Sequence, residues 1–251
     1  MITVGIDLAS QDDATASCRV EWIGGEARVS PPRCPQTDEE LIAAVEAADF
    51  AGIDIPFGWP DAFVQALTAY QAGGAWPDVV PAEFCYRVTD RRIERRLMER
   101  GIRRRPLSVA SDRIAIPAMR AARVLTRVAA RGKSVDRTSA GWLIEAYPAA
   151  ALAIWGLPSR RYKGKEFATE RKQLFEALQK RTRTWLRLDR LVCSTCCTND
   201  HALDALIAAL IARAAALGLC EPPPPEHAAV AAREGWIALP APDALDRLAK
   251  P

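Results

Sequence analysis

Residues 2–8 alternate, with Ile2, Val4, Ile6 and Leu8 on one side and Thr3, Gly5 and Asp7 on the other, the period of two that marks a core strand. Extended stretches follow at 15–23 and 27–30, joined across Gly24 and Gly25, a pair suited to a tight hairpin. The period then changes. Thr37 or Asp38 caps a helix reaching about residue 48, with Glu40 placed for a capping box and Leu41, Ile42 and Val45 turned inward. A run at 51–55, halted by Pro56, predicts the next strand. Three strands, a helix and a strand predict an α/β fold with a mixed sheet: a β-meander, then parallel strands, the fourth reaching the first by a crossover.

Residues 60–138 read as a mostly helical insertion, broken at Trp59-Pro60, Gly73-Gly74 and Trp76-Pro77, with a clear helix at 115–131. A strand at 142–147 is closed by Pro148, and a short helix, a basic loop at 160–165 and a charged helix near 172–180 follow. The final long helix, 200–217, stops at Gly218 and carries the stripe Leu203, Leu206, Ile207, Leu210, Ile211 and Leu217. Four prolines at 222–225 then read as a stiff linker, and Trp236, Ile237 and Leu239 as a short packing segment. The expected organisation is one domain over 1–220, its basic insertion at about 60–138, and a linker with packing segment at 221–251.

With 251 residues, 49% of them hydrophobic, the chain can bury one substantial core unaided. No stretch reads as a membrane span, and the opening strand pattern, with no leader-like segment, points to the cytoplasm. Seven irregularly spaced cysteines do not make a disulfide framework and read as reduced thiols. A net charge of +3 does not by itself advertise nucleic acid. Clustering changes that picture, because Arg87, Arg91, Arg92, Arg95, Arg96, Arg100, Arg103, Arg104 and Arg105 form a basic patch able to follow a phosphate backbone. Asp90, Glu94 and Glu99 at helical spacing allow the plainer reading of a solvated helix.

Candidate chemistry lies in four carboxylates in apolar settings: Asp7, Asp54, Glu145 and Asp204. The first three end strand-like runs, where an open α/β sheet presents its ligand crevice. Asp204 has no Lys or Arg three or four residues away on its own helix. Gathered together, such acids repel one another unless a divalent cation binds, and oxygen-only ligands favour Mg²⁺ or Mn²⁺. The expected metal ligands are Asp7 as the bridge, Asp54, Glu145, Asp204 and Asp200, with Lys163 neutralising charge on phosphate. Arg87, Asp90, Tyr162, Lys163 and His201 are the expected substrate contacts. The alternative is a set of strand-end acids, each bonded to backbone N–H groups or a distant arginine. Gly5 and Gly52, each two positions before an acid, suggest open space beside it. Cys193, Cys196 and Cys197 with His201 superficially offer zinc ligands, but without a second pair nearby they read as thiols in a loop.

The first-strand Asp7, the stretches GIDIPFGWP, YRVTD, IEAYPAAALAIWG and RYKG, and the helix HALDALIAALIAR together resemble the predicted RNase H-like nucleases, a family catalogued as domain of unknown function 429. The resemblance runs over about residues 2–239. It implies that Asp7, Asp54, Glu145 and Asp204 match the family's acidic positions. Arg87, Thr89 and Asp90 match an Arg-x-Thr-Asp motif, and Tyr162 and Lys163 a Tyr-Lys motif. The activity so implied is metal-dependent phosphodiester hydrolysis of nucleic acid, DNA or RNA. Two other readings stand beside it. An ATP-binding phosphotransferase of the actin and sugar-kinase group shares the topology, although Leu8, Ala9, Ser10 and Gln11 lack the Gly-rich turn that approaches phosphates. The other is a non-enzymatic nucleic-acid-binding protein of the same fold.

Overall fold

The computed structural model describes residues 1–250. β1 (Ile2–Asp7) runs antiparallel to β2 (Ala16–Ile23), which turns into β3 (Glu26–Val29) through Gly24 and Gly25. Both glycines have positive φ, which this two-residue hairpin requires. α1 (Asp38–Glu46) begins with the expected capping box between Thr37 and Glu40 and leads to β4 (Phe50–Asp54). β4 lies parallel to β1, in a register that sets Asp54 opposite Asp7.

The insertion consists of α2 (Asp61–Gln71), α3 (Pro81–Cys85), α4 (Val88–Met98) and α5 (Asp112–Ala130). β5 (Leu143–Glu145) then pairs in parallel with β4. It is followed by α6 (Pro148–Ile154), α7 (Ala168–Thr182), β6 (Leu186–Arg187), α8 (Arg190–Thr198) and α9 (Asp200–Ala216). β7 (Cys220–Glu221), α10 (Ala228–Glu234) and β8 (Leu239–Pro240) complete the chain, with β7 and β8 paired. The main sheet has the order β5-β4-β1-β2-β3-β6, a meander flanked by parallel strands as the pattern predicts. β6 was not announced, because two residues are too few to display a period. Among the described residues no helix is long and apolar enough to cross a membrane.

Both faces of the sheet are covered. Val4, Ile6, Ala51, Ile53 and Leu143 meet α1 and α5, while the opposite face receives α9, backed by α6 and α8. The sequence pattern suggested an amphipathic α9; instead Ala202 to Ala214 are buried all round, because the alanine side faces the sheet as the leucine side faces other helices. Gly5 and Gly52 are where it touches. A Cβ on Gly5 would stand 2.0 Å from the Ala205 carbonyl oxygen and 2.2 Å from the Ala209 nitrogen, and one on Gly52 would stand 2.7 Å from the Ala208 oxygen. The glycines therefore do not leave open space beside the acids. They let a helix backbone lie directly on two strands.

The chain beyond the prolines is bound into this body. Ile237 bridges to Glu145 beside β5, and Glu234, buried, accepts hydrogen bonds from the backbone N–H of Asp61 (2.8 Å) and Val88 (2.7 Å). One carboxylate thus satisfies the starts of both α2 and α4.

Candidate acidic active site

The close approach of α9 to β1 and β4 fixes the site. Asp7 and Asp54 lie on the same strand faces as Gly5 and Gly52, and α9 delivers Asp204 to them from above. One carboxylate oxygen from each of Asp7, Asp54 and Asp204 lies within 4.8 Å of the others. Asp204 is fully buried, and Asp7, 8% exposed, lines a cavity of about 580 Å³ together with Asp54. Asp204 Oδ1 accepts a hydrogen bond from the Tyr162 hydroxyl at 2.9 Å. Its Oδ2 receives none among the described residues, although the Lys163 ammonium lies 2.5 Å away at an angle that misses the bond. Lys163 also stands 3.9 Å from Asp54 Oδ2, and His201 Nδ1 is 2.6 Å from Asp7 Oδ2.

These groups shift one another. Burial pushes the Asp204 carboxyl up to about 6, Asp7 adding to the effect and Lys163 opposing it. Asp54 is raised well above the ordinary range by burial and then by repulsion from Asp7, Asp204 and Glu145, with Lys163 working the other way. Burial disfavours the Lys163 charge, but Asp204 and its neighbours outweigh it and hold the ammonium protonated. The hydrogen bond to Asp7 raises His201. Three mutually repelling carboxylates with only one lysine among them suit a hard divalent cation, which takes oxygen ligands and cancels the repulsion.

Glu145, expected as a fourth ligand, is engaged elsewhere. Its Oε1 and Oε2 accept from Arg87 Nη2 (2.6 Å) and Nη1 (2.8 Å), and Oε2 also accepts the Phe57 backbone N–H. Arg87 further donates to both oxygens of Asp90 and to the Glu234 carbonyl, so all five of its guanidinium N–H groups are used. Arg87 and Asp90 are each 1% exposed, so neither is free to contact substrate as expected; with Glu145 they form a closed ion cluster in the cavity wall. Thr89 completes the motif by accepting the Ile237 backbone N–H. Asp200, also expected as a ligand, instead accepts the Gly164 backbone N–H and lies 4.0 Å from Arg171.

The basic patch is largely consumed inside the molecule. Arg92 and Arg96 both bind Glu221, Arg105 binds Glu94, and Arg104 donates to the carbonyls of Ala149 and Ser159. Cys193, Cys196 and Cys197 lie on α8 rather than in a loop, and His201 faces Asp7 rather than the thiols. Two arginines that sequence reasoning missed position the centre. Arg120 ties down the turn after Asp7 through the Ala9 carbonyl, the Thr15 hydroxyl and Asp38. Arg171 donates to the carbonyls of Tyr162, Gly164, Cys197 and Thr198, fastening the lysine loop to the end of α8, just before α9. A signal for Arg171 existed, since it falls in helical register with the buried Leu174, Phe175 and Leu178.

The class thus defined is a mixed-sheet α/β protein with an acidic centre at the ends of two adjacent parallel strands. The chain belongs to the family described as Protein of unknown function (DUF429), whose pattern matches residues 5–229 and so includes Asp7, Asp54, Lys163 and Asp204. Comparison with curated proteins and with solved structures finds no match.

Proposed function

We propose that this protein is a metal-dependent phosphodiester hydrolase acting on nucleic acid, with Mg²⁺ or Mn²⁺ as cofactor. The observation that carries the reading is the convergence of Asp7, Asp54 and Asp204 from three distant segments, within 4.8 Å of one another and with a single lysine among them. Asp7 and Asp54 would hold the cation, with Asp204 beside them. When bound, it polarises a phosphoryl oxygen and makes water a nucleophile at neutral pH.

The chain's own groups supply the rest. Lys163 places a fixed positive charge at the cavity edge, where phosphate oxygens gain negative charge during the reaction. Arg104 and Arg161 line the same cavity and favour an anionic substrate. His201 holds a proton on the Asp7 side at Nδ1, leaving Nε2 to give or take one. Tyr162 orients Asp204, and the Arg87, Asp90 and Glu145 cluster keeps the wall rigid.

The test is hydrolysis of single- and double-stranded DNA and RNA with Mg²⁺ or Mn²⁺. Cleavage that requires the ion and disappears in Asp7→Asn is the expected result; cleavage surviving that substitution rejects the site.

A further inference from the structure

We infer that Lys163 is the second cation of this centre, so that the acidic centre takes a single dication where a two-metal site would take two. The inference rests on the hydrolase reading above and concerns how its charge is balanced.

Two-metal hydrolases place their ions about 3.5–4 Å apart, with carboxylates between them. Here one of those positions is already filled. The Lys163 ammonium stands 2.5 Å from Asp204 Oδ2 and 3.9 Å from Asp54 Oδ2, so it contacts two of the three carboxylates that would bracket a second ion. The other Asp204 oxygen is taken by the Tyr162 hydroxyl and Asp7 Oδ2 by His201. Oxygens without a hydrogen bond or close cation remain on the Asp7 and Asp54 side, at paired positions of adjacent strands, which suits one dication.

This is not a surface lysine fallen inward. Its neighbour Tyr162 is buried, and the carbonyls of Tyr162 and Gly164 on either side of it are both held by Arg171, itself 2% exposed. Asp200 accepts the Gly164 N–H, and Gly164 has φ +94°, a backbone conformation suited to glycine. The loop is thus fastened on both sides of the lysine. Charge points the same way: Lys163 already offsets part of the carboxylate charge, and a second dication would have to stand beside that ammonium.

Mn²⁺ alone, titrated into the full chain and counted by electron paramagnetic resonance of the free ion and by calorimetry, tests this without any substrate. The expected result is one Mn²⁺ per chain in the wild type, two in Lys163→Met and one in Lys163→Arg. Because the lysine side chain is half exposed, Lys163→Met should keep the fold, checked by circular dichroism. Two ions per chain with the lysine in place, or one in Lys163→Met, overturns the inference while leaving the hydrolase reading intact. No binding by the wild type removes both.

Discussion

Two groups of charged side chains share one cavity and are treated in opposite ways. Around Arg87, two buried carboxylates meet an arginine whose every N–H is used, and Phe57, Glu234 and Gly235 close in around it. A Cβ on Gly235 would come within 2.8 Å of Glu145 Oε2, so even the backbone is fitted to the cluster. Around Lys163, three carboxylates crowd together with one ammonium that touches two of them and a histidine that touches the third. The first group is satisfied and holds the wall in place. The second is frustrated, and such frustration is what a bound cation relieves.

Substitution separates the two most sharply. Arg87→Ala leaves Asp90 and Glu145 buried without their counter-ion and should cost about 3–5 kcal/mol in urea unfolding. Asp54→Asn removes a repelling charge, so metal-free stability should hold or rise by about 1 kcal/mol while hydrolysis falls on the order of 10³-fold, equivalent to about 4 kcal/mol. If Asp54→Asn destabilises as much as Arg87→Ala, the acids are structural and the contrast between the groups fails.

Next in size is the contact that creates the frustration. Gly5→Ala drives a Cβ into the α9 backbone, where no side chain can move aside, and should cost about 1–3 kcal/mol or more. Because α9 must lift, Asp204 withdraws from Asp7, and Mn²⁺ affinity should fall even in molecules that remain folded. Unchanged Mn²⁺ affinity in a destabilised Gly5→Ala protein would show that the helix does not set the spacing of the site.

This contact also marks how far the sequence could be read. Strand alternation placed Asp7 and Asp54, and Thr37 with Glu40 announced α1, because local periods and caps are written in neighbouring residues. Which acids converge was only partly legible. Asp204 and Glu145 look alike in sequence, each an acid in an apolar run, and what separates them is an arginine 58 positions from Glu145 that comes near only through the fold. The two glycines were visible, but their purpose depends on a helix far along the chain, so they read as space rather than as contact. The arginines of the insertion looked like a free patch because their partners, Glu221 and the carbonyls of Ala149 and Ser159, lie far along the chain.

A third effect concerns pH. Asp204 titrates at about 6 in the folded protein against an ordinary value of 3.8, so the folded state binds this proton more tightly than the unfolded chain. Its contribution to stability is therefore greatest below about pH 4 and is lost as pH rises through 6, by at most about 3 kcal/mol. Asp38 and Asp246 act in the opposite sense, because their arginine partners lower them, so the measurement is the difference between wild type and Asp204→Asn. That difference should grow in favour of the variant from pH 4 to pH 7 in metal-free protein and shrink when Mn²⁺ is added. A difference independent of pH would mean that Asp204 is not the strained acid of the pair of groups.

The smallest expected effect isolates one bond. The Tyr162 hydroxyl donates to Asp204 Oδ1 and favours its ionised form, opposing the burial that protonates it. Tyr162→Phe should therefore raise Asp204 further and cost about 1 kcal/mol at pH 8, where the carboxylate is charged and the lost hydrogen bond was strongest. At pH 4.5 the carboxyl carries its own proton, and the cost should fall to a few tenths of a kcal/mol. Equal costs for Tyr162→Phe at both pH values would mean that the hydroxyl serves packing alone and that Asp204 keeps one charge state across the range.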